Sequence, residues 1–587
     1  MTTIETNREE QGVQRTASNI RIYNTLSRSK ESLHPVVSGK VGIYLCGPTV
    51  YDKAHIGHMV GPVIFDTIKR FLAYSGYEVT WVVNITDVDD KLIHKANERS
   101  ISMAEVAEEN IADYLKNLQG MGVDQIDQMP RATESMEDII EMTATLIEQG
   151  FAYAVEGDVF FDVGKDQEYG KLTNRKLKDL QGGGGQAAVK KRLVADFALW
   201  KSAKPGEPSW ESPWGKGRPG WHIECSAMSR GLLGETFDIH GGGLDLVFPH
   251  HENEIAQSEC CHGKPMAQIW MHNGLLRAES QAGKIGGRGE REASAGSEKM
   301  SRSKGAGGLA DLIEQQGGER IRFFLLRTHY RSTVLFGPEA IREAATGLET
   351  FYRFFKRYER LTRTSFYEVP AADSRCAECA EVSSNVDDGG KSVAQLRQRF
   401  LDSMDDDFNT GEAIGDLFEL VRLLNKQIED QQLENPATRT EDALVQLTQG
   451  VSVLRELSQT LGLFIEPVAN TGVDQNGSVL GDVLQLVIRL RAEARAAKKF
   501  EVADKIRDAL AEWKIVLEDR ADATDWVLDG DPERALAGLV TLLIELRNTA
   551  RSEKDFTVAD NIRDSLATAR IILEDRADGT EWSVEAG

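Results

Sequence analysis

With 69 Lys and Arg against 93 Asp and Glu in 587 residues, the chain has a formal charge of −24 and a length that implies about three to five domains. Hydrophobic residues at 41% and charged residues at 28% exclude wholesale disorder; no apolar run approaches the roughly 18 residues of a membrane span, and six cysteines cannot form a disulfide framework. The polar first forty residues lack the apolar core of a secretory signal, so a reducing cytoplasm is expected, and the acid excess opposes a uniformly basic polyanion binder.

Residues 1–19 read as a polar tail. From Ile20 short β-like runs alternate with helical patterns, which predicts a parallel α/β sheet. Residues 40–46 read as a buried strand ending in the turn Gly47-Pro48-Thr49, followed by a helix through 65–74 and a second strand at 78–83. Residues 101–150 hold 11 acids against 2 bases at helical spacing, a solvated face. Residues 165–204 reverse this balance with 10 bases against 4 acids around the flexible run 182–185 of four glycines. Two polar segments, 278–298 and 369–392, read as insertions, and 338–465 reads as an all-α module. A linker follows at 466–479. The C-terminus repeats itself: residues 491–526 and 547–582 align at a period of 56, each copy reading as two helices followed by one short apolar strand, Ile515-Val516-Leu517 or Ile571-Ile572-Leu573.

Three motifs could carry chemistry. His55-Ile56-Gly57-His58 stands between a strand-plus-turn and a helix, where a glycine permits close approach and a helix start with imidazoles favours phosphate. Lys299-Met300-Ser301-Arg302-Ser303-Lys304 offers cations and hydroxyls to a polyphosphate in a glycine-rich context. Alone, each motif reads more readily as capping or as a solvated turn; together and in this order they match the paired HIGH and KMSKS signatures of class I aminoacyl-tRNA synthetases. Cys46, Cys225 and the pair His250/Glu254, four apart on one predicted helix face, form a set of two thiols, an imidazole and a carboxylate that suits zinc. No CxxC spacing supports a metal here, and free buried cysteines are the plain alternative.

Longer runs decide the resemblance. Cys46-Gly47-Pro48-Thr49-Val50-Tyr51-Asp52, Asn84-Ile85-Thr86-Asp87-Val88-Asp89-Asp90-Lys91, KPGEPSWESPWGKGRPGWHIECSAM at 204–228, FDIHGGGLDLVFPHHENE at 237–254 and Asp406-Asp407-Phe408-Asn409-Thr410 resemble the cysteinyl-tRNA synthetases over nearly the whole chain. The resemblance implies an α/β fold: a Rossmann-like parallel-sheet catalytic domain split by an insertion, then an all-α helical bundle and a duplicated small C-terminal α+β module. The expected boundaries are a tail at 1–19, Rossmann halves at 20–130 and 220–277 around a connective insertion at 131–219, and a flexible insertion at 278–298. They continue with the KMSKS-like loop and stem-contact region at 299–345, the bundle at 346–465, the linker at 466–479 and anticodon-type copies at 480–530 and 536–587.

The resemblance also implies activation of L-cysteine with ATP to cysteinyl-adenylate and transfer to the 3′ end of tRNA(Cys), by a cytoplasmic monomer without membrane contact. One Zn2+ per chain is expected on Cys46, Cys225, His250 and Glu254, with Mg2+ accompanying ATP. A soft substrate thiolate on zinc would separate cysteine from serine far better than the about 1–3 kcal/mol a pocket offers between near-isosteres. His55, Gly57 and His58 are expected at the nucleotide, with Lys299, Ser301 and Arg302 on its phosphates, and His55, His58, Lys299 and Arg302 as the catalytic set. Cys46, Thr86, Trp221, His240 and Asp245 are expected to line the cysteine pocket. Arg551, Asp560 and Asp575 match the anticodon-contacting positions, mirrored by Arg495, Asp504 and Asp519. Arg302 replaces the usual second lysine, keeping charge but not geometry. Two other readings share these motifs: a ligase joining cysteine to an amino sugar in mycothiol synthesis, which lacks an anticodon-reading terminal domain, and an inactive paralogue that binds tRNA or zinc.

Overall fold

A computed structural model of the chain describes residues 19–176, 190–278, 308–375, 392–467, 479–519, 524–528, 531–576 and 579–584. It divides into two compact units, Met1–Glu466 and Pro467–Gly587. In chain order the first begins with β1 Arg21–Asn24, β2 Ser29–Ser32, β3 Lys40–Leu45, α1 Val60–Tyr74, β4 Glu78–Val83, α2 Asp90–Arg99, α3 Met103–Gly120 and α4 Met136–Glu148. An inserted layer follows with β5 Ala152–Val155, β6 Asp158–Phe161, β7 Phe197–Ser202 and β8 Gly217–Pro219. Then come α5 Trp221–Leu233, β9 Phe237–Gly243, α6 Glu252–His262, β10 Ala267–Asn273, β11 Leu276–Ala278, α7 Leu309–Gln316, α8 Gly318–Leu326 and β12 Val334–Phe336. The helices α9 Pro338–Thr362, α10 Val393–Asp405, α11 Thr410–Asp430 and α12 Glu441–Thr460 complete the unit.

The central sheet has the order β10-β9-β3-β4, with every pair parallel. Its strands are buried on both faces, as Val41, Ile43, Tyr44 and Leu45 of β3 illustrate, so they read as near-continuous apolar runs. The strand order changes direction between β3 and β9, because β4 extends the sheet to one side and β10 to the other. In such sheets the crevice at the strand ends beside this point receives the ligand. The antiparallel sheet β5-β6-β7-β8 interrupts the parallel one between β4 and β9. Helices α9–α12 close around Phe351, Phe354, Phe355, Phe400 and Leu424, and their core runs on into the sheet through α1 and α8.

The second unit contains two copies of one motif: α13 Val479–Ala496, α14 Phe500–Glu512, β13 Ile515–Asp519 and β14 Thr524–Leu528, then α15 Pro532–Ser552, α16 Phe556–Thr568, β15 Ile571–Arg576 and β16 Gly579–Val584. Each copy therefore ends in an antiparallel hairpin rather than the single strand expected, with Leu517 opposite Trp526 and Leu573 opposite Trp582. The returning strands escape a reading of the sequence because Thr524–Leu528 and Gly579–Val584 mix acidic and apolar residues. Among the described residues no helix is long and apolar enough to cross a membrane.

Candidate active site and metal centre

The backbone at the ends of β3 and β4 explains why Cys46 stands where it does. A Cβ on Gly47 would lie 1.8 Å from the carbonyl oxygen of Asn84, so only glycine lets the two strand ends come this close. Gly47 N donates to Asn84 Oδ1 at 2.9 Å and Cys46 N to the carbonyl of Gly241 at 3.1 Å, which ties Cys46 to β4 and β9 at once. The three glycines ending β9 serve the same crowding: a Cβ on Gly241 would meet the Phe65 ring at 2.1 Å, and one on Gly242 the His251 ring at 2.6 Å.

Around this point four donors converge. Cys46 follows β3, Cys225 lies in α5, His250 lies in the turn Val247–His251 just before α6, and Glu254 follows in the first turn of α6, four residues on. Their ligand atoms all lie within 4.8 Å of one another. A tetrahedral zinc with bonds of about 2.3 Å to sulfur holds two thiolates about 3.8 Å apart; Cys46 Sγ and Cys225 Sγ are 3.7 Å apart, and Cys46 Sγ is 3.5 Å from Glu254 Oε1. His250 Nε2 and Glu254 Oε1, at 2.7 Å, are at hydrogen-bond distance and would open slightly around a shared ion. The chemistry and spacing of this set fit zinc. A second group, Cys46, His240, His251 and Glu254, meets the same spacing. It shares two members with the first and offers one sulfur instead of two.

Electrostatics within the cluster are set by burial and by these neighbours. The hydrogen bond donated by Cys46 brings the Cys225 thiol down to about 6, against the effect of burial. Burial, and then the bond to Cys225, push Cys46 well up, so the pair deprotonates first at Cys225. Burial alone would raise Glu254, but the adjacent His250 and His240 overcome it and hold the carboxyl well below its usual range. Burial would lower His250, yet Glu254 and Cys225 lift it to about 10.

The remaining expected pocket residues divide by exposure. Trp221, the first residue of α5, is 37% exposed with its ring 4.2 Å from that of His250. Asp245 is exposed beside Gly243. Thr86 is buried at the end of β4, donating to Glu224 Oε2 at 3.0 Å. His240 is completely buried behind Glu254, with Nε2 2.5 Å from Glu254 Oε2 and Nδ1 3.1 Å from the Tyr44 carbonyl, so it orients the carboxylate from the far side. Sequence reasoning missed a relay of histidines here. His222 Nδ1 is 2.9 Å from His250 Nδ1, and His251 Nδ1 is 2.7 Å from His272 Nε2, whose Nδ1 in turn reaches Thr25 Oγ1 at 2.8 Å. Burial, and then the nearby His250 or His240, hold His222 and His251 well below the usual imidazole range.

His55 caps the tight turn Ile56–Met59 that leads into α1. Gly57 N donates to His55 Nδ1 at 3.1 Å and His55 N to His58 Nδ1 at 3.3 Å, and the two rings stack at 3.8 Å. The turn thus holds both imidazoles near parallel at the sheet's carboxyl edge. Lys299, Ser301 and Arg302, with residues 279–298 of the expected insertion, lie outside the described residues.

In the second unit Arg495, Asp504, Arg551 and Asp560 are exposed on their helices. Asp575 is engaged differently: Arg547 donates to both its oxygens at 2.8 Å and Thr580 to one at 2.8 Å, while Arg551 lies at 3.1 Å. The bonds from Arg547 and then Thr580 hold its carboxyl well below the usual range, and the contact pins the last hairpin to α15. The side chain of Asp519 lies outside the described atoms.

Residues 32–287 match the family described as tRNA synthetases class I (C) catalytic domain, and residues 399–465 match the DALR domain. A solved methionyl-tRNA synthetase from Mycobacterium tuberculosis, bound by methionyl-adenylate, shares the fold with a TM-score of 0.50 at 16% identity, covering 76% of this chain and 94% of that one. A protein from Geobacter metallireducens named cysteine–tRNA ligase is 43% identical over 516 residues, 86% of this chain and 99% of its own length. Its namesake from Geobacter sulfurreducens is 40% identical over 569 residues, 96% of this chain and 100% of its own. One from Brevibacillus brevis is 43% identical over 509 residues, 86% and 99% of the two chains. With a class I catalytic domain, a DALR domain and near-full-length identity of this order, the chain belongs to the cysteine–tRNA ligase family.

Proposed function

We propose that the chain activates L-cysteine with ATP and transfers the cysteinyl group to the 3′ end of tRNA(Cys), with zinc at Cys46, Cys225, His250 and Glu254. The observation that carries this reading is the meeting of two thiols, an imidazole and a carboxylate at the sheet's switch point. Zinc bound there would supply a soft Lewis acid for the substrate thiolate, a bond that a serine hydroxyl replaces poorly. Trp221, exposed against His250, gives an apolar wall for the small side chain, and His240 keeps Glu254 aimed at the site.

The stacked His55 and His58 face the developing charge of the α-phosphate, and their mutual bonds fix them before the nucleotide arrives, so little reorganisation is needed as the reaction proceeds. Lys299, Ser301 and Arg302 complete the phosphate grip in this reading, with Mg2+ accompanying ATP. Catalysis then rests on positioning and on charge stabilisation rather than on covalent participation of the protein.

Cysteine-dependent ATP–pyrophosphate exchange, followed by charging of tRNA(Cys), tests the proposal. Both activities are expected, and both are expected to fall after dialysis against a zinc chelator and return with added Zn2+. Lys299→Ala is expected to cut exchange at least about 100-fold, the loss typical of one preorganised charge at a developing anion. Exchange without tRNA charging, but with an amino sugar as acceptor, would overturn the tRNA reading; no exchange at all would mark a binding protein.

A further inference from the structure

The two C-terminal copies differ from one another in a pattern that follows their packing. Helix α14 packs on α13 within the first copy and also meets α15 of the second; α16 packs on α15 and also meets α13. The groove between α14 and α15 is lined by Glu501, Lys505, Ala509, Glu512 and Trp513 on one side and by Arg534, Ala537, Gly538, Thr541 and Glu545 on the other. Each of these ten differs from its counterpart 56 residues away; only Leu542 and, at the outer lip, Asp504 and Asp508 match theirs. The changes are reciprocal: Lys505 donates to Glu545 at 2.8 Å, while at the matching pair Arg489 donates to Ser565 at 2.8 Å and lies 3.5 Å from Asn561. Positions 505 and 561, and 545 and 489, are counterparts, so the cation has moved to the other side of the contact. The inter-copy face has diverged freely, wherever a complementary partner allowed.

One patch of the outer surface has not. Arg495, Lys498, Phe500, Asp504, Arg507 and Asp508 are all exposed, and all recur as Arg551, Lys554, Phe556, Asp560, Arg563 and Asp564, equally exposed. Exposed positions without a function drift, and the neighbouring exposed positions 492, 493, 496, 497 and 499 have done so. Phe500 and Phe556 begin their helices 61% and 60% exposed, a cost to solubility that each copy keeps. The same small geometry stands beside each ring. Arg507 lies 2.8 Å from Asp504 and 3.0 Å from Asp508; Arg563 lies 3.0 Å from Asp560 and 2.8 Å from Asp564.

We infer that the first copy carries its own site for an unpaired RNA nucleotide, on Phe500, beside a matching one on Phe556 among the anticodon-type positions Arg551 and Asp560 that the resemblance implies for the second, so that the unit is bivalent for RNA. The inference rests on the reading of the chain as a tRNA ligase and extends it to the copy that a single anticodon does not require. An exposed ring stacks on any base, Arg495 and Lys498 (or Arg551 and Lys554) meet the phosphates, and a fixed Asp–Arg pair offers an acceptor and a donor to a base edge. An acidic peptide fits less well, because Asp504 and Asp508, or Asp560 and Asp564, would repel its carboxylates.

The test is a titration of the full chain with a fluorescent RNA hairpin carrying the tRNA(Cys) anticodon loop, at low salt. Wild type is expected to bind two equivalents, Phe500→Ala and Phe556→Ala one each, and the double variant neither. The lost site should weaken by about 5- to 150-fold, the range for removing one base–aromatic stack. Matching thermal melts would verify that these surface changes leave the fold intact. Cysteine-dependent pyrophosphate exchange separates the two levels of the argument, since it is expected to be unchanged in every variant. Normal exchange with a single RNA equivalent that Phe500→Ala does not alter would overturn the second site alone, as would a polyglutamate peptide that needs Phe500 where RNA does not. Absent exchange in wild type would instead count against the ligase reading.

Discussion

Cys46 illustrates how a ligand depends on a neighbour that touches nothing chemical. Its position is fixed by Gly47, whose missing side chain leaves room for the Asn84 carbonyl. Gly47→Ala would force β3 and β4 apart just where the thiol must meet Cys225 and Glu254, and zinc affinity is expected to fall about 10- to 100-fold, as when a supporting contact of a metal site is lost. Competition with a chromogenic chelator measures this directly. At Gly415 an added Cβ would meet nothing within 4 Å, so Gly415→Ala is a control that should leave zinc binding unchanged. At this scale the sequence was readable where residues cluster in short motifs: the four donors stand in runs that could be recognised. The contacts of His222 with His250 and of His251 with His272 could not be read in advance, because they come from α5, the turn before α6 and β10 meeting in space, and no local period records that.

At the scale of elements, α1 links the site to the helical bundle. Its first residues follow the His55–His58 turn, and two turns on, Asp66 is fully buried. Arg70 donates to Asp66 at 2.8 Å and Arg322 at 2.5 Å, while Arg322 also donates to the carbonyls of Leu461 and Gly122, each at 2.9 Å. At the other end Tyr74 donates to Glu456 of α12, which also accepts from Arg397 of α10. The helix that follows both imidazoles is thus bolted to the bundle twice. Arg322→Ala removes the cation and strands two carbonyls and part of a buried carboxylate. Arg70 keeps one contact, so the cost is expected near the low end for breaking a buried pair, about 3 kcal/mol. The lowered unfolding midpoint of Arg322→Ala should be partly restored by adding Asp66→Asn, which a melt of the single and double variants would reveal; equal midpoints for wild type and Arg322→Ala would refute the clamp. The parallel sheet and the bundle were legible from period and composition. The returning strands β14 and β16 were not, since an acidic two-faced strand on a small hairpin has neither a clean alternation nor an apolar run.

The net charge of −24 describes the average field of the whole molecule, and a polyanionic substrate meets only particular surfaces of it. The acid excess sits on helices such as α3 and α4, where Glu108 pairs with Arg131 and Glu109 with Arg99, while 165–204 carries the opposite sign. The internal repeat was plain in the sequence, but not that its copies share one core, because the groove positions that would have signalled the pairing are those that diverged. That shared core decides how a truncation must be made. Leu484 and Val487 of α13 are fully buried in a cluster that includes Leu539 and Leu543 of α15 and Ile562 and Leu566 of α16. Cutting away 536–587 would therefore uncover the inner face of the first copy, losing about 1.5–3 kcal/mol for each large side chain newly exposed, more than a module of this size can spare. Ending the chain after Glu466 removes both copies together and leaves the other compact unit, with the zinc cluster and the His55–His58 turn, intact. That shorter chain is expected to retain cysteine-dependent pyrophosphate exchange within about twofold while tRNA charging falls at least tenfold, whereas the chain ending at 535 should aggregate or melt early. Equal charging by the full chain and the chain ending at Glu466 would remove the C-terminal unit from tRNA recognition altogether.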